Sequence, residues 1–266
     1  MANKNEIFVA DLHHSYEKGT EILHGVSAAF SPGKITALIG ANGCGKSTLL
    51  NLMAGVMKPD SGTITVGGED IRLTDRKTLA KQLAVVHQNN IAPSDMTVEK
   101  LICAGRTPYR EAFKPFGAAD MEAVIQALKD TDTAYLADRP IFSLSGGQMQ
   151  RVWLAMALAQ KADILLLDEI TTYLDVHYQL QLLHLISELN RKNGLTVITV
   201  LHDINLAFSF CQEVVVMKQG SVLAQGSIDT AVTEQVLNTA FDVSSKIISV
   251  DGEKHCIFKR KETIHE

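Results

Sequence analysis

The nine residues GANGCGKST, Gly40 to Thr48, leave this chain few folds to choose from. They join a short apolar run, ITALIG (Ile35 to Gly40), to a segment in which Leu49, Leu50, Leu52 and Met53 recur at helical spacing up to Gly55. A strand that passes through a glycine-rich loop straight into a helix opens a β-loop-α unit, and such units build parallel sheets layered with helices. The loop also matches Gly-x-x-x-x-Gly-Lys-Ser, in which glycines turn backbone N–H groups onto phosphate oxygens at a helix N-terminus. Lys46 supplies mobile positive charge at the β- and γ-phosphates, and Ser47 offers a hydroxyl to Mg2+.

The remaining chain continues the alternation of apolar runs and amphipathic helical patterns. ILLLDE (Ile164 to Glu169) is apolar on both faces until its carboxyl end, as a central parallel strand must be. Leu180 to Leu189 marks a helix stopped at Asn193-Gly194, and LTVITVLHD is a buried strand with His202 at its exit. EVVVMKQGSVLAQG predicts two strands about a Gln219-Gly220 turn. The first thirty residues predict an antiparallel β hairpin or small sheet. From about Gly226 onward a short helix (Ala231 to Phe241) and strands near Ile247 and Ile257 are expected. Between Ile91 and Phe142 no convincing strand occurs, while DMEAVIQALKD is helical in pattern. The predicted organisation is one domain over residues 1–266. Residues 1–90 and 155–266 form the α/β core, and 91–154 form an inserted helical subdomain.

Composition narrows what this architecture serves. A formal net charge of −5, with no run of lysines and arginines, argues against nucleic acid as a partner. The start, MANKNEIFVADLHHSY, lacks the apolar stretch of a secretory signal, and no window approaches the roughly 18 to 20 uncharged apolar residues of a membrane span. The chain is therefore expected to stay in the cytosol. Cys44, Cys103, Cys211 and Cys256 are widely spaced, which predicts neither a disulfide framework nor a zinc site. His13, His14, His177 and His184 are read as surface or packing residues.

Asp168 and Glu169 close a buried strand. One carboxylate there suits Mg2+, and its neighbour suits a water that must be aligned and deprotonated for attack on a γ-phosphate. His202 would reach the same crevice at the carboxyl ends of parallel strands. Gln88 could contact Mg2+ or the attacking water, and Tyr16 could stack on an adenine face. A second glycine-rich loop, SLSGGQMQR (Ser143 to Arg151), raises the harder question, because one nucleotide does not need two phosphate loops from one chain. It precedes a helix whose N-terminus can face an anion, yet it carries no lysine. Such a loop complements a phosphate loop and cannot replace one.

The order of aromatic residue, phosphate loop, glutamine, LSGGQ, LLLDE, LD and histidine resembles the ATP-binding subunits of ABC transporters over nearly the whole chain. The resemblance implies a P-loop NTPase (RecA-like) core with an N-terminal antiparallel β subdomain and an inserted helical subdomain. It makes Tyr16 the adenine-stacking residue and Gly40, Asn42, Gly43, Cys44, Gly45, Lys46, Ser47 and Thr48 the Walker A contacts. Gln88 becomes the Q-loop glutamine, Asp168 the Walker B aspartate, Glu169 the catalytic glutamate and His202 the switch histidine. Leu174-Asp175 becomes the D-loop. Lys46, Gln88, Glu169 and His202 would carry catalysis, with Mg2+ on Ser47, Gln88 and Asp168.

The same resemblance implies a second copy of the chain, paired head to tail. Ser145, Gly146, Gly147 and Gln148 of each would cap the ATP held by the other. LICAGRTPY (Leu101 to Tyr109), TTYLD and LHDINLAFSFC look like importer ATPases for ferric siderophores, ferric citrate, haem and cobalamin. That implies integral-membrane permease subunits docked around Gln88 to Arg110, indirectly a substrate-binding protein, and a peripheral place on the cytoplasmic face of the membrane. A soluble ABC ATPase of iron–sulfur cluster assembly is the alternative of the right size. One departure stands out: the family usually has proline after the catalytic glutamate, where this chain has Ile170.

Overall fold

The computed structural model describes residues 4–17, 19–93, 95–111 and 115–260, so the outer bounds of the domain reading, 1 and 266, lie outside the described residues. A long hairpin of β1 (Ile7–Glu17) and β2 (Thr20–Phe30) comes first. Then β3 (Ile35–Gly40) runs through the glycine-rich loop into α1 (Lys46–Met53). The chain adds β4 (Ser61–Val66) and the short β5 (Glu69–Asp70), crosses α2 (Arg76–Gln82) and enters β6 (Leu83–Val86). The helices α3 (Val98–Ala104), α4 (Ala118–Asp130) and α5 (Gly146–Ala159) follow. Alternation resumes with β7 (Ile164–Leu167), α6 (Val176–Asn193), β8 (Thr196–Val200), α7 (Ile204–Phe210) and β9 (Glu213–Lys218). The described chain closes with β10 (Ser221–Ser227), α8 (Ile228–Ala231), α9 (Glu234–Phe241), β11 (Ser244–Val250) and β12 (Glu253–Lys259).

The large sheet runs β10-β9-β3-β8-β7-β6, parallel throughout except for the antiparallel edge strand β10. The hairpin joins β4 and β5 in an antiparallel sheet ordered β2-β1-β4-β5. Strand alternation splits the core in two. Ala37, Leu165, Leu167, Val197 and Val216 face one hydrophobic cluster, shared with α5, α6 and α7. Leu38, Leu166, Ile198, Val200 and Val215 face the other, where Leu49, Leu50, Leu52 and Met53 of α1 meet Val9, Leu12 and Leu23 of the hairpin. Each of those four α1 side chains is fully buried, a gain of about 1.5–3 kcal/mol apiece. That burial, more than helix propensity, holds the start of α1 under the phosphate loop.

Helix boundaries follow their caps. Asp175 starts α6 by accepting from Tyr178 N–H, and Gly194, at φ 65°, ends it where Asn193-Gly194 predicted a stop. Ser145 and Gln148 form a reciprocal capping box at the head of α5. This helix is continuous across residues 154–155, so the helical layer and the α/β core share one rod.

Candidate functional site

Four adjacent strands, β3, β8, β7 and β6, deliver their carboxyl ends to one edge of the sheet. Past those ends stand the phosphate loop, His202, Asp168-Glu169 and Gln88 respectively. Parallel strands place such residues together because every strand exits on the same side. The cleft there encloses about 790 Å3 and is lined by Tyr16, Asn42, Gly43, Gly45, Lys46, Ser47, Thr48, Gln88, Glu169 and His202, among others.

The loop is tightly constrained. Gly40 sits at φ 151°, and a Cβ there would run into the Met217 carbonyl oxygen of β9. Cys44 packs beneath the loop, where burial pushes its thiol pKa up. Lys46 is only 5% exposed, and its Nζ donates to the carbonyl oxygens of Gly40 and Ala41 at 2.9 and 3.1 Å. Its charge is thus held over the loop by neutral acceptors that an anion would outcompete. Gly45 caps α1 with no side-chain acceptor, which leaves the helix's first N–H groups facing the cleft.

Ser47 Oγ donates to Asp168 Oδ1 at 2.8 Å. Burial raises the Asp168 carboxyl above the usual carboxylate range, and the Ser47 hydrogen bond only partly opposes it. A hydroxyl beside a buried carboxylate short of countercharge is a set of hard oxygen donors, and it fits Mg2+. Glu169 adopts a left-handed backbone at φ 51°, uncommon for a residue with a side chain. Its Oε1 lies 2.7 Å from His202 Nε2. Ile170 is 2% exposed and packs into the core shared with α5 and α6, so burial anchors the turn where a proline ring would have constrained it. Tyr16 keeps its ring largely exposed while its hydroxyl meets Thr48 Oγ1 at 3.0 Å.

Not every anticipated residue lines this cleft. Gly40, Cys44 and Asp168 lie behind its wall, whereas Ser145, Gly146, Gly147 and Gln148 are elsewhere in the molecule. There Gly147 packs under the Tyr178 ring and Gly146 near Leu174. Asp175 spends its carboxylate on the α6 N-terminus. Conversely, Ile22, Thr171, Thr172, Tyr173, Gln179, Asp203 and Leu206 line the cleft without having been singled out from sequence. Proximity to Glu169 and His202 was the available signal for Thr171 to Tyr173 and for Asp203. Ile22 and Gln179 enter only through tertiary packing. His14 is buried beside Tyr16, its ring edge-on at 5.3 Å, and His184 packs edge-on against Phe210.

Sheet order, phosphate loop and paired strand-end carboxylates together define the class: a P-loop nucleoside triphosphatase. The ABC transporter family profile matches residues 23–172, and the chain belongs to that family as an ATP-binding, ATP-hydrolysing subunit. It is 40% identical over 228 residues to the iron(3+)-hydroxamate import ATP-binding protein of Bacillus subtilis (strain 168), covering 86% of this chain and 85% of that one. An inward-facing metal-chelate type ABC transporter superposes with a TM-score of 0.84 at 25% identity, over 97% of this chain and 99% of that one. A bacterial ABC transporter cassette solved as a dimer superposes with a TM-score of 0.73 at 28% identity, covering 84% and 98%. Cassettes of this family thus form dimers. No helix among the described residues is long and apolar enough to cross a membrane.

Proposed function

We propose that this chain energises a membrane importer for an iron(III) chelate of the siderophore type, acting as a peripheral subunit on the cytoplasmic face of its permease. The similarity to a hydroxamate import ATP-binding protein and to a metal-chelate type transporter supports that cargo class. The observation that carries the mechanism is the split between a cleft that gathers Lys46, Ser47, Gln88, Glu169 and His202 and the family's signature loop, Leu144 to Gln148, outside it. One chain then holds half of each reaction centre. A second copy, head to tail, brings Ser145 to Gln148 over the γ-phosphate.

In this reading Tyr16 stacks on adenine, the loop amides and Lys46 hold the phosphates, and Ser47, Gln88 and Asp168 hold Mg2+. When bound, Mg2+ offsets charge on the β- and γ-phosphate oxygens. Glu169 accepts the proton of the attacking water once His202 turns from it toward the γ-phosphate. Closure of the dimer by ATP and reopening on hydrolysis drive the permease.

Co-expression with the neighbouring permease genes tests the cargo, by uptake of labelled ferric siderophore, ferric citrate, haem and cobalamin. Ferric siderophore uptake that vanishes with Glu169→Gln is the expected result. Uptake of cobalamin alone would overturn the cargo assignment.

A further inference from the structure

GRTPY (Gly105 to Tyr109) carries part of the sequence resemblance to importer ATPases, but ATP hydrolysis does not account for its arginine. Arg106 is not on the surface; it is 6% exposed. Its Nε donates to Asp120 Oδ1 at 2.9 Å, and its Nη1 donates to the Ala159 carbonyl oxygen at 2.8 Å. The guanidinium lies over the Tyr109 ring, 3.8 Å from its centroid. One side chain therefore ties the Thr107–Tyr109 turn to the head of α4 and the tail of α5. Gly105 makes the approach feasible, since a Cβ there would strike the Met156 carbonyl oxygen of α5.

Two further contacts complete the joint. Lys77 Nζ of α2 donates to the Arg110 carbonyl oxygen at 2.8 Å, and Gln160 Nε2 donates to the Leu83 carbonyl oxygen at 2.7 Å. The tail of α5 is thus fixed to the core by Gln160 and to the turn by Arg106, while its head carries Ser145 to Gln148. A 14-residue helix is about 21 Å long and stiff, so it behaves as a lever whose fulcrum is this joint. Beside the turn a groove opens between Cys103, Ala104, Phe116 and Met121, with the charged Glu99, Lys100 and Arg110 also in its lining.

We propose that Arg106 is a positioning residue that transmits load from the Thr107–Tyr109 turn to the signature loop at the far end of α5. The load is the contact of a membrane-embedded partner, which rests on the importer reading above. Lysine in place of Arg106 keeps the charge but loses the planar stack and the second directed hydrogen bond.

In the assembled transporter, Arg106→Lys should lower cargo moved per ATP about tenfold, while KM and kcat of the isolated subunit stay within about twofold of native. Tyr109→Phe keeps the stacked ring and should match the native protein, whereas Tyr109→Ala should copy Arg106→Lys. Native transport coupling in Arg106→Lys overturns the inference, and so does an isolated-subunit ATPase that falls as far as transport. A second measurement needs no permease. In the isolated chain, ATP should change amide exchange at 107–110 together with 145–150, and Arg106→Lys should uncouple the two segments. Changes that remain coupled in the variant overturn the proposal. A native complex without cargo-stimulated turnover would instead refute the importer reading, and the exchange experiment still decides the lever.

Discussion

Two glycine-rich loops in this chain each start a helix, and they are built in opposite ways. The phosphate loop leaves the head of α1 without a side-chain cap, buries Lys46 over neutral carbonyls and presses a buried carboxylate against Ser47. The signature loop caps itself: Ser145 Oγ accepts from Gln148 N–H, and Gln148 Oε1 accepts from Ser145 N–H. The first is a preorganised anion site that costs stability in the absence of ligand. The second satisfies its own donors, so under the proposed pairing they would become available only when an incoming phosphate competes with its own side chains. A dimer closing on ATP as proposed would need this inequality, because a signature loop as hungry for anions as the P-loop would bind phosphate alone.

The largest expected effect also tests the split most directly. Lys46→Ala and Ser145→Arg should each lower dimer turnover on the order of a thousandfold, the first by losing phosphate charge and the second by blocking the loop. Ser145→Arg should still bind ATP with native affinity. Mixed together, the two inactive variants should recover about a quarter of native activity. Half of the dimers are then mixed, and each has one site with both parts intact. A mixture as inactive as its components would mean that each signature loop serves its own chain.

Glu169→Gln sharpens the comparison from the other side. It should slow hydrolysis on the order of a hundredfold or more and retain an ATP-bound dimer, visible by light scattering. In that trapped state amide exchange at Ser145 to Gln148 should change, since the capping box must open. A strictly monomeric variant at saturating ATP would contradict the paired site.

How much of this was legible beforehand depended on whether chemistry or packing chose the residue. Residues selected by chemistry could be read in order: Lys46, Ser47, Glu169 and His202 sit at motif spacing and line one cleft, with Asp168 behind its wall against Ser47. The Asn193-Gly194 stop and the Gln219-Gly220 turn were legible because φ above zero demands them. Residues selected by packing were not. SGTITV, which is β4, opens with Ser61-Gly62 and carries little apolar signal, so sheet pairing with β1 decides its state. The burial of Arg106 was illegible because nothing local predicts that Ala159, fifty-three positions on, offers its carbonyl.

A smaller effect concerns the cost of preorganisation. Asp168 has a raised folded-state pKa, so ionising it weakens the folded chain; its own contribution to stability is fully present below the ordinary carboxylate range and is lost as pH rises through the raised value. Asp168→Asn should remove that pH dependence and stabilise the nucleotide-free protein by about 1 kcal/mol near neutral pH, while ending Mg2+-dependent hydrolysis. Ser145→Ala should do the reverse to the folded state and cost about 1 kcal/mol through loss of the cap. Chemical denaturation at several pH values measures both. If Asp168→Asn proved destabilising, the phosphate loop would not be the strained member of the pair.

The smallest expected change concerns Ile170. Proline there would constrain the turn through its ring, and it would also bias Glu169 away from its present φ of 51° toward extended backbone. Against this, Ile170 is buried in the core under α5 and α6, and the smaller ring would forfeit part of that packing. The substitution leaves both Glu169 and His202, 2.7 Å apart, in place in the sequence, so Ile170→Pro should change kcat by no more than about threefold and lower stability by about 1 kcal/mol. A large gain in turnover would show that isoleucine leaves Glu169 poorly placed. A neutral kcat with lowered stability would show that the strand-end turn is held from inside the core. That anchorage differs in kind from the signature loop, whose donors are satisfied by its own capping side chains, as a loop recruited by a second copy would need.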